Sequence, residues 1–243
     1  MKVVAIIQAR MTSTRLPGKV LMDIGGDVML ARVVERVRRA KKLSKVVVAA
    51  TENPADDRLA EFCRRRGWPC FRGSEEDVLD RYYRAAKEHG ADVVVRVTSD
   101  CPRIDPVIIH RVVGEFLGGR GEIDYASNVA PTRTFPRGQD TEVFSFEILE
   151  RVWREVKDPG YREHVTLHIY SHPDRYRIAC VTNDVDYSHM RWTVDTPEDM
   201  AFARKIYEHF GHDRFSFADV IGALGEHPEW LEINRGVVQK KPI

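Results

Sequence analysis

The feature that most restricts the fold of this chain is a set of apolar runs without alternation, set between stretches of helical period. Val3-Val4-Ala5-Ile6-Ile7, Lys45-Val46-Val47-Val48-Ala49-Ala50-Thr51 and Ala91-Asp92-Val93-Val94-Val95-Arg96-Val97 each read as a strand with apolar residues on both faces. Such strands belong to a parallel sheet covered by helices on each side. The intervening stretches supply those helices. One spans about 28–41, capped by Gly26 or Asp27, with Met29, Leu30, Val33, Val34 and Val37 inward. A second spans 54–66, with Leu59, Ala60, Phe62 and Cys63 inward, and leads to a short strand, Pro69-Cys70-Phe71. A third spans 75–89 and is stopped by Gly90, and a fourth spans 106–117. This β-α-β-α order predicts an α/β fold with a mainly parallel sheet.

After the Gly118-Gly119-Arg120-Gly121 break the rhythm changes. Short strands, turns and one longer helix over 146–157 suggest an inserted subdomain at about 125–187, within a single domain covering 1–243. A last strand, Met190-Arg191-Trp192-Thr193-Val194, is expected to return to the sheet. Helices to about 210 and over 216–226 then precede a polar tail.

A net charge of +1, with 38 basic and 37 acidic residues, gives no electrostatic footprint for a nucleic-acid partner. The local clusters at 36–42 and 64–66 read as solvated helix ends. No apolar stretch approaches the ~20 residues that span a bilayer, so no membrane partner is expected. Met1-Lys2 leads directly into a strand and predicts no signal peptide, so the expected location is cytoplasmic. Cys63, Cys70, Cys101 and Cys180 have no metal-ligand spacing and are expected to be reduced. Neither G-x-x-x-x-G-K-[ST] nor a G-x-G-x-x-G after the first strand is present, which argues against a P-loop enzyme and against dinucleotide redox chemistry.

The loop leaving the first strand carries the strongest chemical signal. Gln8-Ala9-Arg10-Met11-Thr12-Ser13-Thr14-Arg15-Leu16-Pro17-Gly18-Lys19 brings three cations and several hydroxyls to the carboxyl end of a parallel strand. That is where α/β folds bind ligands, and cations with backbone N–H groups there suit a polyphosphate. A second strand ends in Asp100, placed to hold a divalent cation against phosphates, although an Asp at a strand end is usually a helix cap or turn former. Asp195, in Val194-Asp195-Thr196-Pro197-Glu198-Asp199, likewise follows an apolar run and by position alone reads as a helix N-cap.

The 8–19 loop resembles the signature of sugar-activating cytidylyltransferases, roughly (I/Q)-x-A-R-x-x-S-T-R-L-P-G-K. The resemblance is to the spore-coat polysaccharide-synthesis branch, near the CMP-Kdo and acylneuraminate synthetases. It implies a three-layer nucleotidyltransferase fold, GT-A-like and Rossmann-like, with an inserted arm. It implies transfer of CMP from CTP to a sugar-type acceptor, with release of pyrophosphate, in surface polysaccharide or glycoconjugate synthesis. Arg10, Arg15 and Lys19 would bind the triphosphate, with Ala9 and Ser13 beside the nucleotide. Asp100 and Asp195 match the family's magnesium ligands, the latter within a Val-Asp-Thr-Pro-Glu-Asp segment nearly identical to that of the CMP-Kdo synthetases. Cys101 stands where that family carries a Glu, so any role of the second acid is missing. Arg72, Gly73 and Ser74 follow the third strand, where the family contacts the base, although Ser74 and Asp77 also spell a capping box.

Two further segments, Pro136-Arg137-Gly138-Gln139-Asp140-Thr141-Glu142-Val143-Phe144 and Arg162-Glu163-His164-Val165-Thr166, look like the spore-coat branch. They nominate Arg137, Asp140, Glu142 and His164 for the acceptor, with Arg133 and Arg162 as further anion holders, while His164 could equally be structural. The relatives imply a homodimer reached through the arm, where Trp153 and Tyr170 could face a partner or the core. Competing readings are a glycosyltransferase using Asp184-Val185-Asp186, a non-catalytic nucleotide-binding protein, and covalent chemistry at Cys101.

Overall fold

The computed structural model describes residues 1–119 and 121–239, so Arg120 of the expected break and the end of the expected polar tail lie outside the described residues. The elements in chain order are β1 (Val3–Gln8), β2 (Asp23–Ile24), β3 (Asp27–Val28), α1 (Met29–Arg38), β4 (Lys45–Thr51), α2 (Asp57–Arg65), β5 (Cys70–Gly73), α3 (Val78–Glu88), β6 (Val93–Thr98), α4 (Pro106–Gly118), β7 (Tyr125–Ser127), β8 (Glu142–Ser145), α5 (Phe146–Glu155), α6 (Pro159–His164), α7 (Leu167–Tyr170), β9 (Ile178–Cys180), α8 (Pro197–Phe210) and α9 (Phe217–Glu226).

A seven-stranded sheet runs in the order β5-β4-β1-β6-β8-β7-β9. Only β8 opposes the others, pairing antiparallel with β6 and β7. The unbroken apolar runs are explained by what covers each face. In β1, Val3, Ala5 and Ile7 pack with α1, α2, α4, α8 and α9, while Val4 and Ile6 pack with α3, α5 and α7. Successive side chains of a strand alternate between faces, so a sandwiched strand has no polar positions to spare. The chain steps from β1 outward to β4 and β5, then crosses back to place β6 on the other side of β1. Strand order therefore reverses between β1 and β6, and their carboxyl ends border a crevice of the kind that binds ligands.

Several local expectations are revised. Asp27 does not cap α1; it pairs with Ile24 in a small hairpin, and α1 begins with no side-chain cap. Asp77, not Ser74, caps α3 by accepting from the Asp80 N–H, and Ser74 Oγ accepts from the Asp77 N–H instead. Arg64, Arg65 and Arg66 are solvated as expected, but Arg36 is buried and donates to the carbonyls of Ile104, Asp213 and Phe215. The region read as an insertion contributes β7, β8 and β9 to the main sheet. The Met190-Arg191-Trp192-Thr193-Val194 segment does not rejoin that sheet. It runs as an extended strap, bridged to Arg137 at Arg191 and tied to the β6 loop by Val194 N–H donating to Asp100 O at 2.8 Å. Its apolar residues Trp192 and Val194 are buried against the core, which gives a non-sheet segment the pattern of a strand.

Candidate active site

The loop after β1 is held by its own chemistry. Ala9 N–H donates to Ala49 O at 3.1 Å, and Met11 N–H donates to Asp56 Oδ1 at 2.7 Å. The other oxygen of buried Asp56 accepts from Thr51 N–H and Oγ1, so the loop is pinned to the end of β4. Gly18 closes the loop, with its N–H donating to Met11 O at 2.8 Å. Its φ of 73° is left-handed, which glycine adopts at least cost, and it turns Lys19 inward.

Lys19 is 7 % exposed. Its Nζ donates to Val194 O at 2.7 Å and to Asp195 Oδ1 at 2.8 Å, and lies 3.8 Å from Asp100 Oδ2. Arg15 Nη2 meets Asp195 Oδ2 at 2.9 Å, and Arg191 Nη2 meets the same oxygen at 2.9 Å. Thr196, rather than Asp195, caps α8, in a reciprocal box with Asp199. That leaves the Asp195 carboxylate free of any capping role, and it is held instead by Lys19, Arg15 and Arg191. Asp100 is set at the end of β6 by Thr98 Oγ1, which donates to its Oδ1 at 2.5 Å.

Burial opposes ionisation of Asp195, but Lys19, Arg15 and Arg191 outweigh it and hold the carboxyl below the usual range. Asp199 is fully buried and behaves alike, with Arg191, Asn234 and the Asp195 N–H overcoming the burial cost. Cys101 is pushed well above the ordinary thiol range by burial and by the neighbouring Asp100 and Asp140 carboxylates, so it is a poor nucleophile.

Two segments distant in sequence thus deliver Asp100 and Asp195 to Lys19, with Arg15 alongside. Arg10, in the same loop as Arg15, is exposed and lies 3.9 Å from Glu75. Glu75 accepts from Thr12 Oγ1 and, at 2.7 Å, from Asn53 Nδ2. Ala9 is buried and Ser13 half-buried in the same loop. Arg72 is engaged by Thr51 O, Asn53 O and Asp57. Gly73 has no room for a side chain, since an added Cβ would lie 2.9 Å from the Phe71 ring.

Among the residues expected near an acceptor, Asp140 is clamped by Arg133 through two bonds of 2.6 and 2.8 Å. Glu142 is buried and accepts from Arg96, Tyr125 and Thr166, because β8 registers it directly opposite Arg96. Arg137 is half-buried, and its guanidinium is lowered by burial and by the nearby Arg133 and Arg191 charges. His164 ends α6, half-buried, and Arg162 ties that helix to Asp77. Trp153 stacks on Tyr83 with centroids 4.0 Å apart and donates to Asp80, an internal packing role. Asp184, Val185 and Asp186 form an exposed turn in which Asp186 accepts from Ser188 N–H.

Sequence reasoning missed Arg191 and Glu75. Arg191 lies four residues before Asp195 in what reads as a strand, and nothing local marks it as the clasp of two carboxylates.

A cytidylyltransferase family model matches residues 4–217. The spore coat polysaccharide biosynthesis protein SpsF of Bacillus subtilis is 33% identical over 92% of this chain and 94% of its own length. A 3-deoxy-manno-octulosonate cytidylyltransferase of Geobacter metallireducens is 38% identical over 70% of this chain and 75% of its own. The solved structure of a cytidylyltransferase from Leptospira borgpetersenii superposes with a TM-score of 0.92 at 35% identity, covering 99% of this chain and 100% of that one. The α/β architecture, the β1 loop signature and these matches agree, and the chain belongs to the cytidylyltransferase family of nucleotidyltransferases.

Proposed function

We propose that this enzyme transfers CMP from CTP to a sugar-type acceptor and releases pyrophosphate, in the synthesis of a surface polysaccharide or glycoconjugate. The observation that carries the reading is the position of Lys19 Nζ, 2.8 Å from Asp195 and 3.8 Å from Asp100. Cation and carboxylates at one place are what a magnesium–triphosphate needs. The donor set fits the metal: Mg²⁺ is commonly held by one or two carboxylates, with phosphate oxygens and water completing its shell. Asp100 and Asp195 would hold it, and it would supply charge neutralisation on the phosphates.

The acceptor oxygen attacks the α-phosphorus as the bond to the pyrophosphate oxygen breaks. The protein's task is positioning and charge stabilisation. Lys19, Arg15 and Arg10 bind the triphosphate. Ala9, Ser13, Arg72, Gly73 and Ser74 border the nucleoside. Arg137, Asp140, Glu142 and His164 form the acceptor side, with Glu142 acting from within the wall. A cytoplasmic location suits a nucleoside triphosphate substrate. The family resemblance supports a homodimer, which sedimentation of the intact chain tests.

The defining experiment is a thermal-shift comparison of the four ribonucleoside triphosphates with Mg²⁺, paired with a pyrophosphate-release assay. Selective stabilisation by CTP is expected. Asp100→Asn should fold normally and lose at least a hundredfold in pyrophosphate release, the scale of one lost electrostatic contact at the reacting phosphate. Wild-type turnover in that variant removes Asp100 from the mechanism. Hydrolysis of a nucleotide-sugar with no release from CTP replaces the reading with a glycosyltransferase.

A further inference from the structure

Both oxygens of Asp195 are already taken by cations of the protein. Oδ1 accepts from Lys19, and Oδ2 receives Arg15 and Arg191, every contact lying within 2.9 Å. The three cations are not equivalent. Arg191 is fixed, because it also grips fully buried Asp199 through Nε at 2.9 Å and Nη2 at 2.8 Å. Arg15 is one-third exposed and reaches Asp195 from the β1 loop. Lys19 spans both candidate metal ligands, hydrogen-bonded to Asp195 and within ion-pair distance of Asp100. An ammonium in that position satisfies the charge that a divalent cation would satisfy, and it repels any such cation placed beside it.

Resting on the assignment of Asp100 and Asp195 as metal ligands, we infer that Lys19, assisted by Arg15, holds the metal's place in the nucleotide-free enzyme. The divalent cation is therefore admitted only with the triphosphate. The phosphates offer Lys19 and Arg15 a stronger anionic partner, draw them off Asp195 and bring the remaining ligands the metal requires. Among the described residues no group of three or more His, Cys, Asp or Glu side chains is arranged to hold a metal, so phosphate oxygens would have to complete its shell beside the two aspartates. Metal and nucleotide are then positively coupled. By linkage, each raises the affinity of the other by the same factor.

The test is Mn²⁺ binding to the intact protein, read as loss of free-ion electron paramagnetic resonance signal, with and without a non-hydrolysable CTP analogue. Without nucleotide, Lys19→Met is expected to bind Mn²⁺ at least tenfold more tightly than wild type. Lys19→Arg, which retains the charge, should bind as weakly as wild type. Arg15→Gln, on a partly exposed side chain, should gain about threefold and serves if Lys19→Met does not fold. Equal nucleotide-free affinity in wild type and in the neutral variant that folds overturns the inference. So does wild-type Mn²⁺ binding that is as tight without the analogue as with it. The underlying ligand assignment is read separately, by adding Asp100→Asn or Asp195→Asn to the neutral variant. Mn²⁺ binding that survives both changes rejects the ligands themselves, whereas binding lost in both with no gain from neutralising Lys19 rejects only the place-holding role.

Discussion

At the scale of single residues, the energetics are sharpest at Asp199, which has no exposed surface. It accepts two bonds from Arg191, one from Asn234 Nδ2 and one each from the Asp195 and Thr196 N–H groups. Replacing it by Asn leaves the Arg191 guanidinium buried with only Asp195 as a carboxylate partner. Breaking a buried pair costs about 3 kcal/mol or more, so Asp199→Asn should lose that much in urea unfolding at pH 7. The pH dependence follows from the direction of its shift. A carboxyl depressed in the folded state contributes stability that is present above its unfolded value, near pH 4, and lost as pH falls through the folded one. The wild-type advantage over Asp199→Asn should therefore shrink below about pH 4, and an advantage that grows on acidification rejects the assignment. At Cys101 the raised thiol predicts at least tenfold slower alkylation at pH 8 in the folded enzyme than in urea, measured by peptide mass spectrometry. These residues also mark where reading the chain stops. Arg15, Lys19, Asp100 and Asp195 stand in local motifs that can be matched by eye. Arg191 acquires meaning only from partners that the fold supplies, as does Glu142 from the β6–β8 register that sets it against Arg96.

At the scale of elements, what was legible was whatever a repeating environment imposes. Strands β1, β4 and β6 lie between two helix layers, and that burial writes an unbroken apolar run. Three-residue strands such as β7 and β9 carry too few positions to show a period, so their place in the main sheet could not be read. The 190–194 strap errs the other way: burial without sheet pairing imitates a strand. Its course depends on Gly138. There φ is +107°, and an added Cβ would lie 2.6 Å from Thr193 N and 2.7 Å from Trp192 C. Those are backbone atoms, which cannot swing aside as a side chain can. Trp192 N–H also donates to Arg137 O at 2.6 Å, so the turn and the strap move together. Gly138→Ala should therefore shift the strap that delivers Asp195. The expected result is a loss of about 1–3 kcal/mol in stability, with a fall in pyrophosphate release that persists at temperatures where the variant is fully folded. A variant with wild-type melting and turnover shows that the turn is not what sets the strap.

For the whole molecule, the decisive property is that the site is assembled from three segments remote in sequence. The β1 loop brings Arg15 and Lys19, the end of β6 brings Asp100, and the strap before α8 brings Asp195. They are already cross-linked: Ser99 N–H donates to Gln8 O at 3.1 Å, and Val194 N–H donates to Asp100 O at 2.8 Å. A ligand that bridges all three must resist local opening of each, because any opening releases it. With Mg²⁺ and CTP at a hundred times the dissociation constant, linkage predicts about 3 kcal/mol of stabilisation, or roughly 5–10 °C in Tm for a chain of this size. The distribution of that effect is more telling than its size. Hydrogen exchange should slow together over 9–19, 98–101 and 190–196, while α5, α6 and α7, packed on the opposite layer, change little. Protection confined to 9–19 would mean that the loop binds phosphate without help from either aspartate. Protection over all three segments that disappears in Asp195→Asn at the strap alone would place the bridging contact at that carboxylate.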